Sequence, residues 1–181
     1  MIGEPTRAIK IFYSYAHEDK KLRDKLEKHL SILRHQHHIL DWHDREISAG
    51  TEWEQEISQE LNAAYIILLL VSPDYLHSEY CYSIEMKRAL ERLNTGDARV
   101  IAILLRPVDW EDAPFSELQV LPRDRKPVTS WRKYDEAFLD IAKGIRQVIK
   151  ELSASPPLDI SQKTKEQWFH GRLHPRESQT I

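Results

Sequence analysis

The residues in this chain that could do chemistry concentrate in one stretch, Ser78-Glu79-Tyr80-Cys81-Tyr82-Ser83-Ile84-Glu85-Met86, and Glu85 stands out among them. Glu85 shares helical spacings with Cys81, Tyr82 and Ala89, which sets it on a partly inward-facing stripe. Carboxylates are uncommon on such a stripe without a task or a partner. Two readings stand side by side: a functional anion, and a rim glutamate paired with Lys87 or Arg88. A second group, Trp42, Asp44 and Arg45, leads into Ser48-Ala49-Gly50. It reads as a flap presenting an aromatic, an anion and a cation, or as a solvated turn in which Gly50 meets a need for positive φ or close approach.

Other chemistries lose support from what is missing. The chain has only five glycines, and none forms a phosphate loop or dinucleotide fingerprint. No G-x-S-x-G elbow offers a nucleophilic serine. Glu18 and Asp19 partly match a phospho-receiver, but Ser72 stands where the acceptor aspartate would sit. His35, His37 and His38 invite a metal reading. His37 and His38 are adjacent at a strand start, however, and would point to opposite faces, with no cysteine or carboxylate at a recognised ligand spacing. No metal and no cofactor are expected.

The elements that position Glu85 follow from hydrophobic patterning. Residues 65–71 form an unbroken apolar run of the kind found in a parallel sheet covered on both faces, ending at Ser72-Pro73-Asp74. Further strands are expected at 8–14, 38–42, 100–105 and, briefly, 127–129, with residues 106–125 as a long proline-bearing loop. Between them lie a helix marked by Leu22, Leu26, Leu30 and Leu33, one marked by Trp53, Ile57 and Leu61, the Glu85 helix ending near Gly96, and a last helix over about 135–152. This alternation predicts an α/β flavodoxin-like three-layer fold: a five-stranded parallel sheet of order 2-1-3-4-5, with its ligand crevice between the first and third strands. Ser14, Tyr15 and His17 then face Ser72, Asp74 and Tyr75 across that crevice.

The chain of 181 residues, 41% hydrophobic and 30% charged, suits one compact domain with an extension. Its net charge of −3 and dispersed cations give no footprint for nucleic acid. The one cysteine, Cys81, excludes an internal disulfide and fits a reducing cytoplasm. No apolar stretch reaches signal-peptide or membrane-spanning length, so a cytoplasmic protein without membrane contact is expected. The domain is expected over 1–152. Ser153-Ala154-Ser155-Pro156-Pro157 breaks the last helix, and 153–181 reads as a largely flexible linker or an extension cut from a longer protein.

In four segments the chain resembles the TIR (Toll/interleukin-1 receptor) domain, particularly its bacterial members. Ile11-Phe12-Tyr13-Ser14-Tyr15 is similar to the family's first box, and Trp42-His43-Asp44-Arg45-Glu46-Ile47-Ser48-Ala49-Gly50 to its BB loop. Val71-Ser72-Pro73-Asp74-Tyr75, with Ser78 and Cys81 through Glu85, is similar to the strand-helix segment bearing the catalytic glutamate. Ser130-Trp131 resembles the third box.

The resemblance implies that Glu85 supports cleavage of the nicotinamide-ribose bond of NAD+, a substrate rather than a cofactor. It places Tyr15 and His17 on the nicotinamide-ribose side, Trp42, Asp44 and Trp53 near the flap, and Tyr80 where many relatives carry tryptophan. Ser72 and Cys81 join the substrate-binding set. Arg45, Glu46, Ile47, Ser48, Ala49 and Gly50 become a loop for self-association, in a bacterial immune or stress-signalling effector that can also carry a C-terminal sensor domain. The rival expectation is a non-enzymatic module that recruits other TIR domains.

Overall fold

The computed structural model describes residues 8–42 and 53–154, and the side chains at 41, 42 and 53 are not among the described parts. Five strands, β1 Ile9–Ser14, β2 Ile39–Trp42, β3 Ile66–Val71, β4 Arg99–Leu104 and β5 Gln119–Leu121, form one parallel sheet in the order β2-β1-β3-β4-β5. This is the flavodoxin-like arrangement that the sequence predicts. Crossover helices pack on both faces: α1 Lys20–His29, α2 Ser31–His35, α3 Trp53–Ala63, α4 Pro73–His77, α5 Lys87–Asn94 and α6 Tyr134–Ala154.

β3 is central, and all six of its residues are buried. Its side chains alternate between two cores. Ile66, Leu68 and Leu70 join the apolar stripes of α1 and α6, including Leu26, Phe138, Ile141 and Ile145. Ile67, Leu69 and Val71 meet Ile57 and Leu61 of α3, Ala89 of α5 and Phe115. Burial on both faces accounts for the unbroken apolar run, since neither face of a covered parallel sheet has a solvent side for polar residues.

Three expectations need correction. The last strand is Gln119–Leu121, inside the stretch expected to be a loop, while Val128–Ser130 is a 3-10 turn. Pro127 has no N–H for a ladder, whereas Val120 and Leu121 bury their side chains. The first helix breaks at Leu30, yet Leu26, Leu30 and Leu33 still form one buried stripe. The Glu85 helix is not continuous: α4 ends at His77, residues Tyr80–Met86 form a wider π-helical segment, and only then does α5 begin. α5 closes as expected, with Gly96 at φ 76°.

The last helix runs to Ala154, so Ser153 and Ala154 belong to it, and residues 155–181 lie outside the described part. Arg92 fastens α5 to α3. It donates to the carbonyls of Leu61 (2.7 Å) and Ala64 (2.6 Å), placing a cation where a helix C-terminus favours one. Among the described residues no helix is long and apolar enough to cross a membrane.

Candidate active site

β1 and β3 are adjacent, but their connections leave toward opposite faces, which opens a crevice at their carboxyl ends. A cleft of about 410 Å³ occupies it, lined by Tyr15, His17 and Glu18 from the loop after β1 and by Asp74, Tyr80, Cys81 and Glu85 from the segment after β3. Glu85 lies at its inner end, only 6% exposed.

Ser14, the last residue of β1, donates its hydroxyl to Oε2 of Glu85. Its Oγ also lies 2.9 Å from the hydroxyl of Tyr75 on α4. A serine has one proton to give, so with that proton on the Glu85 bond the Tyr75 O–H must be the donor to Ser14. Tyr75 can hold that role, because burial, followed by the nearby Glu85 charge, pushes its pKa well above the usual tyrosine value. Three elements therefore converge on one carboxylate. The rim reading fails: Glu85 turns inward, and Arg88 instead donates to Asn62 (2.7 Å) and Glu91 (3.1 Å).

Two acidic groups beside Glu85, Cys81 and Tyr80, remain neutral. Burial, then the Glu85 charge, raises the Cys81 thiol to about 12 and the Tyr80 phenol to about 12. The Cys81 Sγ lies 3.5 Å from the carbonyl of Tyr15, and its N–H bonds Ser78 Oγ at 3.2 Å. Cys81 therefore ties the two sides of the cleft together at its base. Tyr15 is held from behind by buried Arg23, whose guanidinium stands 5.0 Å from the ring centroid.

The expected substrate contacts divide. Tyr15, His17, Tyr80, Cys81 and Glu85 all line the cleft. Ser72 does not: it is fully buried, its hydroxyl donates to Asp19 Oδ2, and its Oγ caps α4 by accepting from Tyr75 N at 3.0 Å. Proline at the first helical position suits that cap, so Ser72 shapes a wall rather than meeting a ligand. Trp42 ends β2 and Trp53 begins α3. Asp44, Arg45, Glu46, Ile47, Ser48, Ala49 and Gly50 lie outside the described residues. Among the described residues no group of His, Cys, Asp and Glu could hold a metal ion.

The sequence reading placed Ser14 and Tyr75 at the crevice but gave them no role. It passed over Arg106, whose Nε donates to Asp19 Oδ1 at 2.8 Å while the same guanidinium pairs with Asp74. Its only signal was a cation directly after an apolar strand at the sheet's carboxyl edge.

A model of the TIR domain family matches residues 11–142. The chain belongs to the TIR domain family. This TIR domain is 49% identical over 150 residues to the uncharacterized protein y4lF of Sinorhizobium fredii, a match covering 81% of this chain and 46% of that protein. The chain thus spans about half the length of that curated relative. In fold it is similar to the TIR domain of the Toll-related receptor TRR-2 from Hydra magnipapillata, with a TM-score of 0.54 and 16% identity over 77% of this chain and 97% of that one. Within the TIR frame, the first-box residues 11–14 are on β1, the glutamate segment is the π-helical stretch after α4, and Ser130-Trp131 lies at the Val128–Ser130 turn. There the Trp131 indole donates to Lys126 O at 3.0 Å.

Proposed function

We propose that this TIR domain is an NAD+ glycohydrolase that cleaves the nicotinamide-ribose bond, with Glu85 as its catalytic residue, and that it acts as a self-associating effector module in the cytoplasm of a bacterium. The observation that carries the reading is the buried Glu85 carboxylate, oriented by Ser14 at the inner end of the switch-point cleft. Cleavage sends the C1′–N bond pair onto the pyridinium nitrogen, so nicotinamide leaves neutral and positive charge develops on the ribosyl centre. A fixed carboxylate in a water-poor site stabilises that charge and orients the ribose hydroxyls.

Orientation by Ser14 means that little reorganisation is needed as the charge forms. Tyr80 and Cys81, both neutral, add no charge beside Glu85, and Tyr15 and Tyr80 offer aromatic surfaces to the departing ring. Water that attacks the ribosyl carbon and loses a proton to solvent yields ADP-ribose. Attack by a group of the same molecule gives a cyclic product instead.

Self-association would bring residues 44–50 of one copy to its neighbour, and turnover is expected to rise steeply on clustering. The test compares NAD+ consumption by wild type and Glu85→Ala on a clustering support. Loss of turnover in the variant is expected, and equal rates would remove Glu85 from the reaction. Intact NAD+ with wild type, together with loss of self-association on Asp44 or Gly50 substitution, would establish the non-enzymatic recruitment module instead.

A further inference from the structure

The two sides of the cleft are short segments, and each is anchored at a residue behind it. One side, Tyr15 to Glu18, ends at Asp19; the other begins at Ser72 and includes Asp74. Arg106, just beyond the end of β4, reaches both. Its Nε donates to Asp19 Oδ1 at 2.8 Å, and its terminal nitrogen pairs with Asp74 Oδ2. Asp19 is almost wholly buried, and its other oxygen accepts from Ser72, so the anchor of the first side also grips the cap of the second. Arg106 itself is not among the residues lining the cleft.

We propose that Arg106 is a positioning residue, a clasp that fixes the width of the cleft by pinning one carboxylate in each side and thereby holds Glu85 in register with the bound substrate. Resting on the NAD+ reading only for its catalytic consequence, the clasp acts through Asp19 on the loop that follows Ser14, and through Asp74 and Ser72 on α4, which carries Tyr75. Both hydroxyls of the Glu85 relay are thus set by a residue outside the cleft. A planar guanidinium presents N–H groups at a fixed separation and so sets the spacing of the two carboxylates it holds, whereas a lysine ammonium, a compact charge on a flexible stem, leaves that spacing free.

Cys81, the sole cysteine, gives a readout independent of turnover. It is 5% exposed and bridges the base of the cleft between Tyr15 O and Ser78 Oγ, so widening uncovers it.

The experiment uses Arg106→Lys, Asp74→Asn and the double variant. Arg106→Lys retains a charge for buried Asp19 and so keeps the fold, while Asp74→Asn removes the charge from the half-exposed arm alone and loosens it. Iodoacetamide labelling of native Cys81 at fixed pH is expected to accelerate on the order of tenfold in each single variant at an unchanged melting temperature. With clustered protein, kcat is expected to fall about tenfold in Arg106→Lys, as misplacement of a catalytic group requires. In the double variant neither effect should exceed that of the singles, because each substitution already opens the same clasp.

Labelling at the wild-type rate in both singles, or effects that multiply in the double, would overturn the clasp. If wild type leaves NAD+ intact while labelling follows the expected pattern, the clasp stands and the glycohydrolase reading falls. If turnover is present and labelling is unmoved, the reverse holds.

Discussion

α6 and the π-helical segment Tyr80–Met86 belong to the same domain and follow opposite rules. α6 is a regular 21-residue helix whose Phe138, Ile141, Ile145, Val148 and Ile149 bury one stripe against the sheet. The π-helical segment is short and wide, and it buries a cysteine and a carboxylate on either side of exposed Tyr82 and Ile84. Where stability is the only demand, propensity, periodicity and packing agree. Where a charge must be held at a sheet edge, they disagree, and π-helical turns are common at such functional places. The separation implies that substitutions in α6 should change folding and leave chemistry alone, while those around Glu85 should do the opposite.

The largest expected effect tests that separation directly. Glu85→Gln keeps the shape and removes the charge, so kcat is expected to fall about a thousandfold, the loss typical of one electrostatic contact to a transition state. Its melting temperature should equal or exceed that of wild type, because the desolvation cost of a buried carboxylate disappears. A scan showing strong destabilisation would make Glu85 a structural residue and collapse the contrast.

Ile145→Ala should mirror this result, losing about 3 kcal/mol of stability in urea titration with kcat per folded molecule unchanged. Gly144→Ala probes the same helix more finely. A Cβ there would sit 2.7 Å from Leu121 Cδ2, where α6 crosses β5, and Leu121 is fully buried. Crowding is expected to cost about 1–2 kcal/mol after the gain in helix propensity.

Tyr75→Phe removes the donor that obliges Ser14 to give its proton to Glu85. About a tenfold fall in kcat with KM nearly constant is expected, the worth of one hydrogen bond beside a charged group. The smallest effect belongs to Asp140 on α6. Burial works against its charge, but the backbone N–H and guanidinium of Arg123 outweigh this and hold its carboxyl below the usual aspartate range. A depressed pKa contributes stability that is present above the unfolded value and lost as pH falls through the folded one. Asp140→Asn should therefore cost less than about 1 kcal/mol at neutral pH and nothing in acid, read as converging melting curves.

The contrast also explains what was legible in the sequence. α6 and the buried run of β3 follow from apolar periodicity, because burial alone selects those residues, and the strand order follows from the alternation of strands and helices with right-handed crossovers. Glu85 was legible as a carboxylate on an apolar stripe shared with Cys81, and Tyr15 and His17 as residues of the crevice, while Tyr80 entered only through the family resemblance. The π-helical turn was not, since Cys81, Glu85 and Ala89 fit an α-helical stripe equally well. β5 was missed because three residues carry too little pattern, and Pro122 beside them reads as loop. Topology puts Ser72 at the crevice and the resemblance adds it to the substrate-binding set; only the geometry shows its hydroxyl turned back to Asp19. Arg106 had only the faint signature of a cation after an apolar strand, because its significance lies in two carboxylates 87 and 32 residues away in sequence.

Mass spectrometry of NAD+ incubated with clustered wild-type protein tests the central claim most directly. The expected result is free nicotinamide appearing mole for mole with ADP-ribose or its cyclic form as NAD+ disappears. NAD+ that stays intact while the protein is folded and assembled would contradict it.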